Sequence, residues 1–200
     1  MNNSINALCL VAHPDDETIW MGGTILKNKN WNWTIFSLCR KDDMDRMPRF
    51  LKVCSYYNAK PIISNLDDEK LSPISTATII KKIKESLDMK VFDYLFTHGK
   101  NGEYGHIRHK EIHEAVKKMI KNSNLVSKKV YYFSYLPSQI SAPHDKSLKI
   151  PAPNKKADLI INLAKEEYKK KISIITKIYG FKHPIFETLS CKDEEAFTLG

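Results

Sequence analysis

Apolar residues follow two rhythms along this chain. Short, nearly continuous apolar runs alternate with longer stretches in which apolar positions recur every three or four residues. The runs at 6–12 (NALCLVA), 33–38 (WTIFSL), 61–65, 92–97 (FDYLFT), 129–135 (KVYYFSY) and 158–163 predict strands. The periodic stretches predict helices over about 16–27, 49–57, 74–87, 106–121 and 164–179. Pro14 suits the opening of the first helix, where a missing amide proton costs nothing, and the carboxylates after it favour the positive end of the helix dipole. Gly22-Gly23 weakens that helix or lets a neighbour approach closely.

Strands alternating with helices predict an α/β fold: a mostly parallel sheet with helices on both faces. Ligands of such sheets bind beyond the carboxyl ends of the strands. A loop over 137–153 holds four of the nine prolines and is expected to fold over that edge. No composition break divides the chain, so residues 1–200 are read as one domain.

Composition narrows the partners. The net charge of +9 raises nucleic acid as a partner, but the lysines are scattered and the only dense run is Lys169–Lys171. No nucleic-acid signature accompanies them, and a solvated surface is expected instead. The four cysteines form no C-x-x-C pair and are read as reduced core thiols of a cytoplasmic protein. The first apolar run stops at His13, too short for a leader or a stable membrane insertion.

Candidate chemistry begins where two predicted strands end. His13 and Asp16 are three residues apart across a strand-to-helix turn, and both side chains are good zinc ligands. His106, His109 and His113 fall at i, i+3 and i+7 on a predicted helix, roughly on one face. A catalytic zinc takes three protein ligands and leaves one position open. His13, Asp16 and His109 make that set, with His106 at the helix mouth facing the substrate. Residue types alone predict a metal site and leave the reaction open.

The segments AHPDDE at 12–17 and THGKNGEYGHIRHKEIHEAV at 97–116 resemble the paired motifs of the LmbE-like family. That family includes the N-acetylglucosaminyl-phosphatidylinositol (PIG-L) de-N-acetylases and bacterial deacetylases of thiol-sugar and antibiotic biosynthesis. The resemblance implies a Rossmann-like fold, Zn2+ (or another divalent cation such as Fe2+) on His13, Asp16 and His109, and Asp15 as general base. It also implies a protonated His106 at the developing oxyanion. The substrate implied is a small N-acetylated amino sugar of the N-acetylglucosamine type, carrying or lacking an anionic group. Two departures stand out: Arg108 replaces the acid of an H-P-D-H pattern, and Lys52 replaces a glutamate.

Arg49 and Tyr104 are the candidate substrate contacts, with Arg40 and Arg46 read as surface charge, Trp20 and Tyr135 as sugar platforms or core, and His113 as support. His144 lies in the proline-bearing loop. The alternatives are an iron oxygenase with a two-His-one-carboxylate site, against which the α/β alternation argues, and a non-catalytic sugar- or nucleic-acid-binding protein of the same fold.

Overall fold

A computed structural model describes residues 4–200. Its main sheet has seven strands: β1 (Asn6–Val11), β2 (Asn32–Cys39), β3 (Lys60–Leu66), β4 (Val91–Thr97), β5 (Val126–Phe133), β8 (Leu159–Asn162) and β9 (Glu194–Leu199). They lie in the order β3-β2-β1-β4-β5-β9-β8, and β1 to β5 run parallel. The chain winds outward from β1 to β3, then returns to the other side of β1 for β4. The order therefore reverses between β1 and β4, and a crevice opens at their carboxyl ends.

Helices cover both faces, as the alternation predicts. Along β1 the side chains part with period two: Ala7, Cys9 and Val11 enter one apolar layer, and Leu8, Leu10 and Ala12 the other. The first layer is filled by α1 (Asp16–Lys27), α2 (Arg46–Tyr57) and the C-terminal helical segment. The second is filled by α3 (Thr76–Ser86) and α5 (Ile107–Lys121). A single turn, α4 (Gly102–Gly105), precedes α5. All four cysteines are buried and unpaired. Among the described residues, no helix is long and apolar enough to cross a membrane.

Three expectations change. The 137–153 segment is not a loop but a hairpin of β6 (Tyr135–Ser141) and β7 (Lys149–Pro153). The long C-terminal helix is α6 (Lys165–Ser173) running into a π-helical turn at Ile174–Ile178, followed by a short α7 (Phe186–Ser190). The unexpected β9 inserts antiparallel between β5 and β8. Its sequence EEAFTL carries two acids, and Glu195 is fully buried.

Glu195 is accommodated because its hydrogen bonds are complete. It accepts from Lys171 Nζ at 2.8 Å, Gly23 N and Thr24 N at 2.7 Å each, and Thr24 Oγ1 at 2.6 Å. This fully buried pair joins α6 and β9 to α1. Gly22 lets α2 approach α1 closely, since a Cβ there would come 2.8 Å from the Tyr57 hydroxyl.

Candidate metal centre

Beyond Val11 the chain turns through 12–14 into α1, and Asp15 adopts φ 118°, a conformation L-residues rarely take. Its amide donates to Glu17 Oε2 at 3.0 Å, which pins the strained peptide. The twist sends the two neighbouring carboxylates apart. Asp15 Oδ2 accepts from Arg46 Nη1 at 2.9 Å, whereas Asp16 turns back toward His13. Trp20 Nε1 donates to Asp16 Oδ1 at 2.8 Å, one turn along α1, and fixes that carboxylate's orientation.

Three donor atoms then converge. His13 Nδ1 lies 3.2 Å from Asp16 Oδ2, His109 Nε2 lies 3.4 Å from the same oxygen, and the two nitrogens are 3.3 Å apart. A tetrahedral centre with bonds of about 2.0–2.1 Å has edges of about 3.3–3.4 Å. The triangle thus has the dimensions of three ligands of one zinc-sized cation, and His13 and Asp16 also line the neighbouring cavity.

Hydrogen bonds behind the triangle fix which atoms face it. His109 Nδ1 lies 2.5 Å from Glu103 Oε2, and Glu103 Oε1 accepts the Gly99 amide at 2.7 Å. With Nδ1–H committed to Glu103, a neutral His109 presents its Nε2 lone pair inward. Burial opposes charging of His109, but Asp16 and Glu103 outweigh it and raise its pKa to about 10.

His98, at the end of β4, also lies within metal-binding reach of Asp16 and His109. Its hydrogen bonds argue otherwise: Nε2 accepts the Ala12 amide at 2.9 Å and Nδ1 faces Glu103 Oε2 at 2.8 Å. Neither nitrogen has a lone pair left for a cation. On the outer side, His13 Nε2 and Asp68 Oδ1 stand 3.0 Å apart, off the ideal hydrogen-bond line, and neither has another partner. Burial opposes ionisation of Asp68, yet His13 and Arg40 hold its carboxyl down at about 2.

The crevice above the triangle is a cavity of about 230 Å³. Asp15, Trp20, Tyr104 and His106 line it, together with Arg40, Arg46 and Phe186 and Glu187 of α7. Burial, and next the negative charge of Asp16, push the Asp15 carboxyl well above the usual range, although Arg46 pulls the other way. A carboxylate of raised pKa is suited to taking up a proton.

His106 lines the cavity. Its Nδ1 accepts the Arg108 amide at 3.3 Å as the N-cap of α5, leaving the proton on Nε2. Burial, followed by His109 and His13 nearby, lowers its pKa to about 3.

The substrate contacts also need correcting. Tyr104 lines the cavity, packed edge-on against His109. Arg49 does not reach it: the guanidinium donates to Tyr179 O at 2.8 Å and to Asp45 at 2.7 Å. Helix α2 starts one turn earlier than the apolar period suggests, so Arg46 is the arginine that meets Asp15. Tyr135 is no sugar platform, since its hydroxyl donates to Trp20 O at 2.7 Å in the core. His113 pairs with His98 O at 3.0 Å, and His144 is exposed in the hairpin turn.

The residues not singled out from sequence are His98, Glu103 and Asp68. The signal for the first two was present inside THGKNGEYGH, immediately after a strand. Their roles depend on the left-handed turn at Glu103, φ 57°, which swings its carboxylate under both rings.

Residues 8–120 match the PIG-L family model, described as GlcNAc-PI de-N-acetylase. Among curated proteins, none matches the chain in sequence. Among solved structures, the chain is similar to the N,N'-diacetylchitobiose deacetylase of Pyrococcus horikoshii: TM-score 0.60, 16% identity, covering 99% of this chain and 84% of that one. It is similar to the A40926 pseudoaglycone deacetylase Dbv21, with TM-score 0.61, 14% identity, and coverage of 98% and 96%. It is equally similar to GalB, the 4-carboxy-2-hydroxymuconate hydratase of Pseudomonas putida KT2440, with TM-score 0.61, 13% identity, and coverage of 98% and 95%. At these identities the likeness is one of fold.

Proposed function

Because the chain belongs to the PIG-L family, whose model spans 8–120, we propose that it is a metal-dependent hydrolase removing the acetyl group from an N-acetylglucosamine-type conjugate. The observation that carries this reading is the near-equilateral triangle of His13 Nδ1, Asp16 Oδ2 and His109 Nε2, with Asp15 beside it at the cavity wall. Those three residues would hold the metal, and two imidazoles with one carboxylate suit zinc. Zinc supplies a charge that lowers the pKa of a bound water to about 7 and polarises the acyl oxygen.

The chain's own residues supply the rest. Asp15, raised by burial and tethered by Arg46, accepts the proton of the attacking water as the new oxygen–carbon bond forms. His106 directs Nε2–H at the oxygen on which negative charge develops. Asp15 then returns its proton to the nitrogen as the carbon–nitrogen bond breaks, leaving a free amine and acetic acid, which gives up its proton to solvent as acetate. Trp20 and Tyr104 flank the acyl group and shield it from bulk water.

Both arginines facing the cavity are already paired, Arg46 with Asp15 and Arg40 with Asp68 at 2.7 Å. This favours a neutral sugar over the polyanion that a hydratase like GalB takes. The test is amine release from a panel of N-acetylated amino sugars, before and after chelation. We expect release from at least one, loss with chelator and recovery with zinc. Chelator-insensitive turnover, or no amine from any member, rejects the reading.

A further inference from the structure

Arg108 is the residue at which this chain departs from the motif it otherwise carries, and it is completely buried without lining the cavity. Its guanidinium turns away from His106 toward the segment between β3 and α3. Nε donates to Asp67 O at 2.6 Å, and Nη1 donates to Ser72 O at 2.9 Å and to Glu111 Oε2 at 2.7 Å. Glu111 in turn accepts the Ile74 amide at 2.7 Å. Among the described residues, no backbone–backbone hydrogen bond holds 67–74. The segment is stapled to α5 by these two side chains.

Asp68 follows the stapled carbonyl directly. It is the residue that meets His13 Nε2 at 3.0 Å, and its side chain is only 6% exposed. The contact is off-line, so a small displacement of this segment decides whether a hydrogen bond to His13 forms at all. Partners of this kind fix which ring nitrogen of a metal-binding histidine keeps its proton.

We propose that Arg108 is a positioning residue. By tying Asp67 and Ser72 to the helix that carries His106 and His109, it sets Asp68 against His13 Nε2 and so keeps His13 Nδ1 free for the metal. The inference rests on the metal site proposed above. The fork geometry matters more than the charge: one ammonium cannot span Asp67 O, Ser72 O and Glu111 together.

The experiment measures Zn2+ affinity of the metal-free protein by competition with a chromogenic chelator, alongside thermal midpoints. R108A and D68A should each weaken zinc binding by about 10- to 100-fold. The double variant R108A/D68A should be no weaker than the weaker single variant, because both act through one contact. Additive losses, or a lowered midpoint with wild-type zinc affinity in R108A, overturn the proposal. If R108A does not fold, R108K carries the test: weakened zinc binding supports the role, and wild-type affinity in folded R108K overturns it. H13A is the control for the underlying assignment, since wild-type zinc affinity there rejects the metal site itself, whatever Arg108 does.

Discussion

Two regions of this molecule bury charged side chains, and they do so to opposite effect. Around Glu195 the inventory is complete: Lys171, two amides and a hydroxyl supply donors to both carboxylate oxygens. Around Asp16 it is deliberately unbalanced, with two imidazole nitrogens and a carboxylate oxygen turned toward one another and no proton able to serve all three contacts. A matched set of buried ions closes on itself and holds elements together. An unmatched set, with His109 and Asp16 held from behind by Glu103 and Trp20, leaves an excess of acceptors facing one another. Burial alone does not separate the two; the count of donors against acceptors does.

The largest effect expected from breaking the contrast lies in the unbalanced region. His13→Ala should lose bound zinc and all measurable amine release, whereas Asp15→Ala should keep zinc and lose about 10²–10⁴ in rate. Equal metal content in the two variants, measured by elemental analysis, contradicts the assigned roles.

In the balanced region, Lys171→Met leaves Glu195 as an uncompensated buried charge and should cost about 3–5 kcal/mol of stability. Denaturant titration reads that loss. Removing both partners, as in Lys171→Met with Glu195→Leu, should recover much of it. The turnover of folded protein should stay near wild type in both.

Glu17 lies between the two behaviours. Tyr179 and Thr18 donate to it, yet burial, outweighing those hydrogen bonds, raises its pKa from 4.5 to about 7. The folded state then holds a proton that the unfolded state releases above pH 4.5. Glu17's contribution to the stability of the metal-free protein is greatest below that pH and falls by on the order of 3 kcal/mol as pH rises from 4.5 through about 7. Glu17→Gln should flatten this slope in thermal melts, and an unchanged slope assigns it to other groups. The smallest effect belongs to Arg49→Ala. It removes the Tyr179 O contact and should cost about 1–3 kcal/mol with no change in KM. A raised KM would return Arg49 to the substrate.

Much of the fold was written in local pattern. The alternation of apolar runs and periodic stretches set the order of β1 to β5 and the helices between them, because burial on two faces demands continuous apolar strands. The same reading placed His13, Asp16, His106 and His109 at two strand ends. Local pattern failed at β9, whose buried Glu195 looks like surface until Lys171 is seen to cover it. It failed again at Arg49, because a helix boundary shifted by one turn exchanges which arginine faces the site.

The sequence by itself thus determined the order of β1 to β5 and the helices between them, the family and the donor types, all of which depend on residues close together in the chain. Only the tertiary structure decided that Glu103 reaches back under His98 and His109, that Asp68 meets His13, and that His106 spends its Nδ1 on capping α5. Those are choices of tautomer and partner. They depend on angles and on contacts between distant segments, and hydrogen bonds lose their meaning within an ångström or some tens of degrees.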